Sequence, residues 1–146
     1  MRAMNRILVG IDGSDCGERA LEAAAKQARA NDAELLVCYV IAWSPYTFST
    51  PDENAQRHQR REEELSVARS KLLDPRVEAL KGDGFRATGL ARHGHPARTL
   101  IQLATEHKAG MIVIGRAGDT PLKTRIFGGT AAGLVQTAPC PVLVVP

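Results

Sequence analysis

Ile7-Leu-Val-Gly-Ile11, the turn Asp12-Gly-Ser-Asp15, an alanine-rich run with Leu21, Ala24, Ala25 and Ala28 at helical spacing, and Leu35-Leu-Val-Cys-Tyr-Val40 together decide the fold of this chain. The outer runs are apolar, rich in β-branched residues and too short for helices, whereas the middle run repeats its apolar positions with the period of a helix. A strand, a helix and a second strand in that order form a right-handed crossover in a parallel sheet. Strands that are apolar at nearly every position are covered on both faces.

The same alternation continues to the end of the chain. Phe85-Arg-Ala-Thr-Gly-Leu90, Met111-Ile-Val-Ile114 and Val142-Leu-Val-Val145 read as three further strands, and the first of them alternates polar with apolar residues, as a strand near a sheet edge does. Ala97, Leu100, Ile101 and Ala104 form one core-facing helical stripe, and Ala131, Leu134, Val135 and Ala138 another. Ser14 or Asp15 is positioned to cap the first helix, Pro96 suits a first helical turn, and His107-Lys108 before Gly110 suits a helix end. Pro51 to Lys81 reads as a long charged helix with Leu65, Ala68 and Leu72 inward, interrupted where Asp74 meets Pro75, its charges forming a solvated face. The expectation is an open five-stranded α/β parallel sheet with helices on both faces, in one domain over residues 1–146.

Composition narrows the function. The 146 residues carry 19 Lys and Arg against 16 Asp and Glu, a net charge of +3, with 24% charged and 44% hydrophobic residues. These are the proportions of an ordinary globular protein. Basic and acidic residues interleave, as in Arg60-Arg-Glu-Glu-Glu64, so no basic arm for nucleic acid is indicated. No apolar run approaches the ~20 residues of a membrane-spanning helix, and Met1–Asn5 lacks the features of a secretory leader. The expected compartment is the cytoplasm. Cys16, Cys38 and Cys140 are odd in number and scattered, which suits small buried hydrophobes better than disulfides or zinc ligation.

Ligands of open parallel sheets collect at the carboxyl ends of the strands. After the fourth strand comes Gly115-Arg-Ala-Gly118-Asp-Thr-Pro-Leu-Lys-Thr-Arg-Ile-Phe-Gly128-Gly129-Thr130. Glycines let backbone N–H groups approach an anion without a Cβ in the way, and the start of the last helix adds its positive dipole end, so phosphate is the natural occupant. Arg116, Lys123 and Arg125 add cations. After the first strand, Asp12 is placed to accept from a nucleoside sugar, to hold a metal, or simply to cap a turn. After the second, Trp43, Tyr46 and Phe48 gather three of the six aromatic residues, as a stacking surface for a base or a cover for the sheet's end. His93-x-His95 has no adjacent Asp or Cys to complete a metal site. Neither a Walker loop nor a Gly-x-Gly-x-x-Gly fingerprint is present, and no serine or cysteine has an assignable base.

The opening Ile7–Ser14, Gly94-His-Pro96, the glycine loop and the closing Ala138-Pro-Cys-Pro-Val-Leu-Val-Val145 together resemble the universal stress protein family. In its nucleotide-binding branch the loop runs Gly-x2-Gly-x9-Gly-(Ser/Thr). Here Gly115, Gly118 and Gly128 match, and Gly129 stands at the Ser/Thr position with Thr130 next to it. The resemblance implies strand order 3-2-1-4-5, ATP or AMP between strands one and four, and a homodimer through Val142, Leu143, Val144 and Val145. It implies a nucleotide site of Gly10, Ile11, Asp12, Val40, Ile114, Gly115, Arg116, Gly118, Gly128, Gly129 and Thr130, with Asp12 toward the ribose or a nucleotide-bound Mg. Three readings follow: a nucleotide-dependent regulatory dimer with an unidentified protein partner, a nucleotide-free interaction dimer, and a slow ATPase. No general base can be named for the third.

Overall fold

A computed structural model describes residues 4–42, 51–117 and 129–146, with backbone only at 51–54. The elements run β1 (Arg6–Gly10), α1 (Asp15–Asn31), β2 (Glu34–Ala42), α2 (Pro51–Ala68), a π-helical segment (Arg69–Leu73), α3 (Asp74–Gly82), β3 (Ala87–Gly94), α4 (Pro96–Glu106), β4 (Met111–Gly115), α5 (Gly129–Thr137) and β5 (Val142–Val145). The strands lie in the order β3-β2-β1-β4-β5, and every pairing among the described residues is parallel. Both the architecture and the order agree with expectation.

Side chains alternate across a strand, so each apolar run feeds two cores. Ile7, Val9, Leu35 and Val37 pack on one face with Ala20, Ala24 and Ala28 of α1 and with Val77 and Leu80 of α3. Leu8, Leu36, Cys38 and Ile112 pack on the other with Leu100, Leu103 and Ala104 of α4 and Leu134 of α5. Ile7, Leu8, Leu35 and Ile112 are wholly inaccessible, each worth about 1.5–3 kcal/mol of burial. Among the described residues no helix is long and apolar enough to cross a membrane.

Three local expectations are corrected. The third strand begins at Ala87, not Phe85, because the Phe85 N–H donates to the Leu80 carbonyl and the ring sits under Arg29 at 4.6 Å. The long charged helix changes form before Asp74-Pro75: the Asp74 N–H reaches back to the Arg69 carbonyl, the bond of a π turn. A wider turn relieves the clash between a proline ring and the carbonyl four residues back. Its extra residue also makes Leu73, rather than Leu72, the wholly buried side chain. Val135 is 58% exposed, because α5 meets α4 through Gly133, where a Cβ would stand 3.0 Å from Ala97 Cβ, and this turns Val135 away from the core. The helix end expected at His107-Lys108 is where α4 stops: His107 is its C-cap, Lys108 is left-handed (φ 55), and Gly110 donates its N–H to the Arg6 carbonyl.

Candidate functional site

Gly10, the last residue of β1, lies in register with Cys38 of β2 on one side and Ile114 of β4 on the other. Past that level β2 and β3 stay paired as far as Ala42 and Gly94, and β4 and β5 as far as Gly115 and Val145. The Ile11 N–H makes one last rung to the Cys38 carbonyl at 2.9 Å, and the chain then turns away into α1. The result is a notch at the end of β1, at the point where helical connections leave for opposite faces. This is the switch-point geometry at which open α/β sheets bind ligands.

The turn out of β1 is built by four residues. Asp12 Oδ1 accepts from the Ser14 N–H at 3.0 Å and from the Ser14 hydroxyl. Ser14 Oγ in turn accepts from the Gly17 N–H at 3.1 Å, which makes Ser14 the N-cap of α1. Gly13 supplies the left-handed link at φ 83. Gly17 must also be small, because a Cβ there would stand 2.9 Å from Asp12 Oδ1. The carboxylate of Asp12, at an exposed position, is thereby oriented by the first turn of the helix that follows it. The sequence marked Asp12 and the cap, but not Gly17, whose signal is a glycine in the first turn of a helix that is otherwise rich in good helix formers.

The two strand-end glycines each meet a specific neighbour. A Cβ on Gly10 would lie 2.9 Å from Ile114 Cδ1 and 3.2 Å from Leu100 Cδ1, and one on Gly115 would lie 2.8 Å from Cys16 Sγ. Close packing of helix on strand is therefore one reason these positions are glycine. Val40 and Ile114 both belong to the face covered by α4 and α5. The Arg116 N–H is taken up by the Val145 carbonyl at 2.7 Å, and its side chain is exposed. Gly129 begins α5 with nothing among the described residues within 4 Å of the place a Cβ would take, and Thr130 follows it. Gly118, Gly128, Lys123, Arg125 and the aromatic stretch Trp43, Tyr46 and Phe48 lie outside the described residues.

The remaining candidates are drawn into other roles. His93 Nε2 sits 2.9 Å from Glu64 Oε2, whereas His95 Nδ1 accepts from the Arg98 N–H as the N-cap of α4, so the two rings serve different partners. Cys16 Sγ donates to the Val145 carbonyl at 3.4 Å, tying α1 to the last strand. Burial pushes the Cys38 thiol up to about 12, against a small opposing pull from Arg92. It is not a thiolate nucleophile at neutral pH.

The family model described as "Universal stress protein family" matches residues 4–146. Universal stress protein YxiE of Bacillus subtilis is 31% identical over 150 residues, covering 97% of this chain and 98% of the relative. The solved structure of universal stress protein UspA from Lactobacillus plantarum superposes with a TM-score of 0.84 at 24% identity, covering 100% of both chains. A universal stress protein solved in complex with cAMP superposes with a TM-score of 0.63 at 26% identity, covering 99% of this chain and 98% of that one. With a family model matching nearly its whole length and a full-length relative at this identity, the chain belongs to the universal stress protein family.

Proposed function

We propose that this chain is a single-domain regulatory protein that binds an adenine nucleotide, ATP or AMP, in the notch at the ends of β1 and β4, and acts as a homodimer whose partner contacts depend on nucleotide. The observation that carries this reading is the level juxtaposition of Gly10 and Ile114 beside a carboxylate, Asp12, held by its own helix cap. Gly10 and Ile11 form the floor. Val40 is offered to the base, Asp12 to the ribose or to a Mg ion carried by a triphosphate, and Gly115, Arg116, Gly118, Gly128, Gly129 and Thr130 to the phosphates. The start of α5 favours an anion through the N–H groups and positive dipole end of its first turn. The relative solved with cAMP supports an adenine nucleotide as the class of ligand. The nucleotide supplies binding energy and a charge that biases loop order; population shift then follows from differential affinity for the ordered state.

A second reading, a nucleotide-free interaction dimer, is favoured by one residue. Gly129 keeps its N–H but has no hydroxyl to offer a terminal phosphate.

The deciding experiment is to denature purified protein and identify the released small molecules by liquid chromatography and mass spectrometry, then to titrate ATP and AMP into empty protein while following thermal unfolding. Near-stoichiometric nucleotide, or a melting temperature that rises with ligand, is expected. An empty protein with no thermal response at millimolar nucleotide would leave the interaction dimer as the function.

A further inference from the structure

The Asp12 turn is held from outside as well as by its own cap. Leu72, in the π-helical segment, lies against it, with Cδ1 3.7 Å from where a Cβ on Gly13 would stand. The same side chain lines the cavity between α2 and the pair Tyr39 and Ile41. Gly13 carries the left-handed link of the turn (φ 83), so a side chain laid on it bears on the joint that brings Asp12 round to Ser14.

Packing sets where Leu72 stands. Its neighbour Leu73 is wholly buried, and Gly89 of β3 is small for it: a Cβ there would come 3.3 Å from Leu73 Cβ and 3.3 Å from Val77 Cγ2. Leu73 thus seats the segment on the sheet, and the wider π turn presents Leu72 to Gly13. Arg76, one turn further on, ties this arrangement to α1. Its Nη1 donates to the Leu72 carbonyl at 2.8 Å, while its Nε and Nη2 lie 2.6 and 2.5 Å from Glu18 Oε1 in the first turn of α1. Glu18 donates its own backbone N–H to the Ser14 carbonyl at 3.0 Å, in the helix that Ser14 caps.

We infer that Arg76 is a positioning residue for the Asp12 turn: one guanidinium holds the π-helical segment to the first turn of α1, keeps Leu72 against Gly13, and so sets the turn before a ligand arrives. A planar fork serves a carbonyl and a carboxylate together, whereas the single ammonium of lysine cannot reproduce both contacts at these spacings. Arg76 and Glu18 keep 25% and 42% side-chain exposure, so the ion pair by itself adds little to global stability. Its effect is local. The consequence for affinity rests on the nucleotide reading above: a site whose turn is set only part of the time binds more weakly by that fraction.

Two measurements on the full chain test this, one without ligand and one with it. In the empty protein, the nuclear Overhauser contact between the Leu72 methyl protons and Gly13 Hα reports the clamp directly; it is expected in the parent and weakened at least about twofold in both Arg76→Ala and Arg76→Lys, since occupancy of the clamped state falls. A merely structural arginine would lower the unfolding midpoint and leave that contact intact in the folded variant. By titration calorimetry, AMP and ATP are expected to bind about fivefold more weakly to Arg76→Ala, to Arg76→Lys and to Leu72→Ala, as when the set turn is populated about one part in five. An undiminished Overhauser contact in folded Arg76→Ala, its full recovery with lysine, or unchanged affinity in variants of a parent that does bind nucleotide would each overturn the inference. A parent that binds neither nucleotide would overturn the nucleotide reading instead, and the Overhauser contact then decides the clamp. Should Arg76→Ala fail to fold, Arg76→Lys carries both measurements.

Discussion

Gly115 at the end of β4 and Cys16 in the first turn of α1 meet so closely that a Cβ on the glycine would stand 2.8 Å from the cysteine sulfur and 3.1 Å from its carbonyl oxygen. Strand and helix are in contact there through backbone, and neither can yield without moving the Asp12 turn or the Cys16 contact to Val145. Gly115→Ala is therefore expected to lower stability by about 1–3 kcal/mol, the cost of overpacking a closed contact. A urea unfolding midpoint equal to that of the parent would show that the contact relaxes freely.

Cys38 links stability to alkaline pH. Its thiol is held near 12 in the fold against an ordinary value of 9.0, through burial. In the unfolded chain the thiol loses its proton at lower pH than in the folded one, so the unfolded state binds fewer protons and stability falls as pH rises above the unfolded value. Between about pH 8.5 and pH 10 the parent should lose about 1 kcal/mol more stability than Cys38→Ala measured alongside it. Parallel stability curves for the two proteins would refute this.

Among the described residues nothing occupies the space where a side chain on Gly129 would go. Gly129→Ser should leave stability within about 0.5 kcal/mol of the parent. If the notch holds a nucleotide as proposed, the added hydroxyl should tighten binding by about fivefold, the worth of one hydrogen bond of about 1 kcal/mol. Calorimetry on both proteins checks it, and unchanged affinity would remove the hydroxyl from any role at the phosphates.

The last strand offers the test of the proposed dimer. Val142, Leu143, Val144 and Val145 are all half-buried within one chain, and an apolar strand at a sheet edge is a surface for a partner strand. Leu143 and Val145 pack into one core and Val142 into the other, while Val144 belongs to neither packed set among the described residues. If the chain dimerises through this strand as proposed, Val144→Asp should leave the fold intact and raise the dimer dissociation constant on the order of a hundredfold, through like charges facing each other across a two-fold axis. Light scattering that still gives a dimer mass at micromolar protein would place any interface elsewhere.

Sequence alone determined the α/β alternation, the double burial of the strands and the half-covered character of the third, because strand and helix periods are local and each apolar run declares how many faces it hides. It also marked Asp12 and the Ser14 cap, since turn and cap chemistry act over only a few residues. The strand order came from resemblance to a family, and the pairing confirms it. What tertiary structure decided are meetings between residues distant in the chain. Gly10 is small for Ile114 and Leu100, and Gly115 is small for Cys16. Val135 turns outward because Gly133 brings α5 onto Ala97, and the charged face of α2 becomes the roof of a cavity over Tyr39 and Ile41. Periodicity reports which face of an element is hidden, but not how closely the neighbour across it approaches, and that distance is set by the packing of the whole.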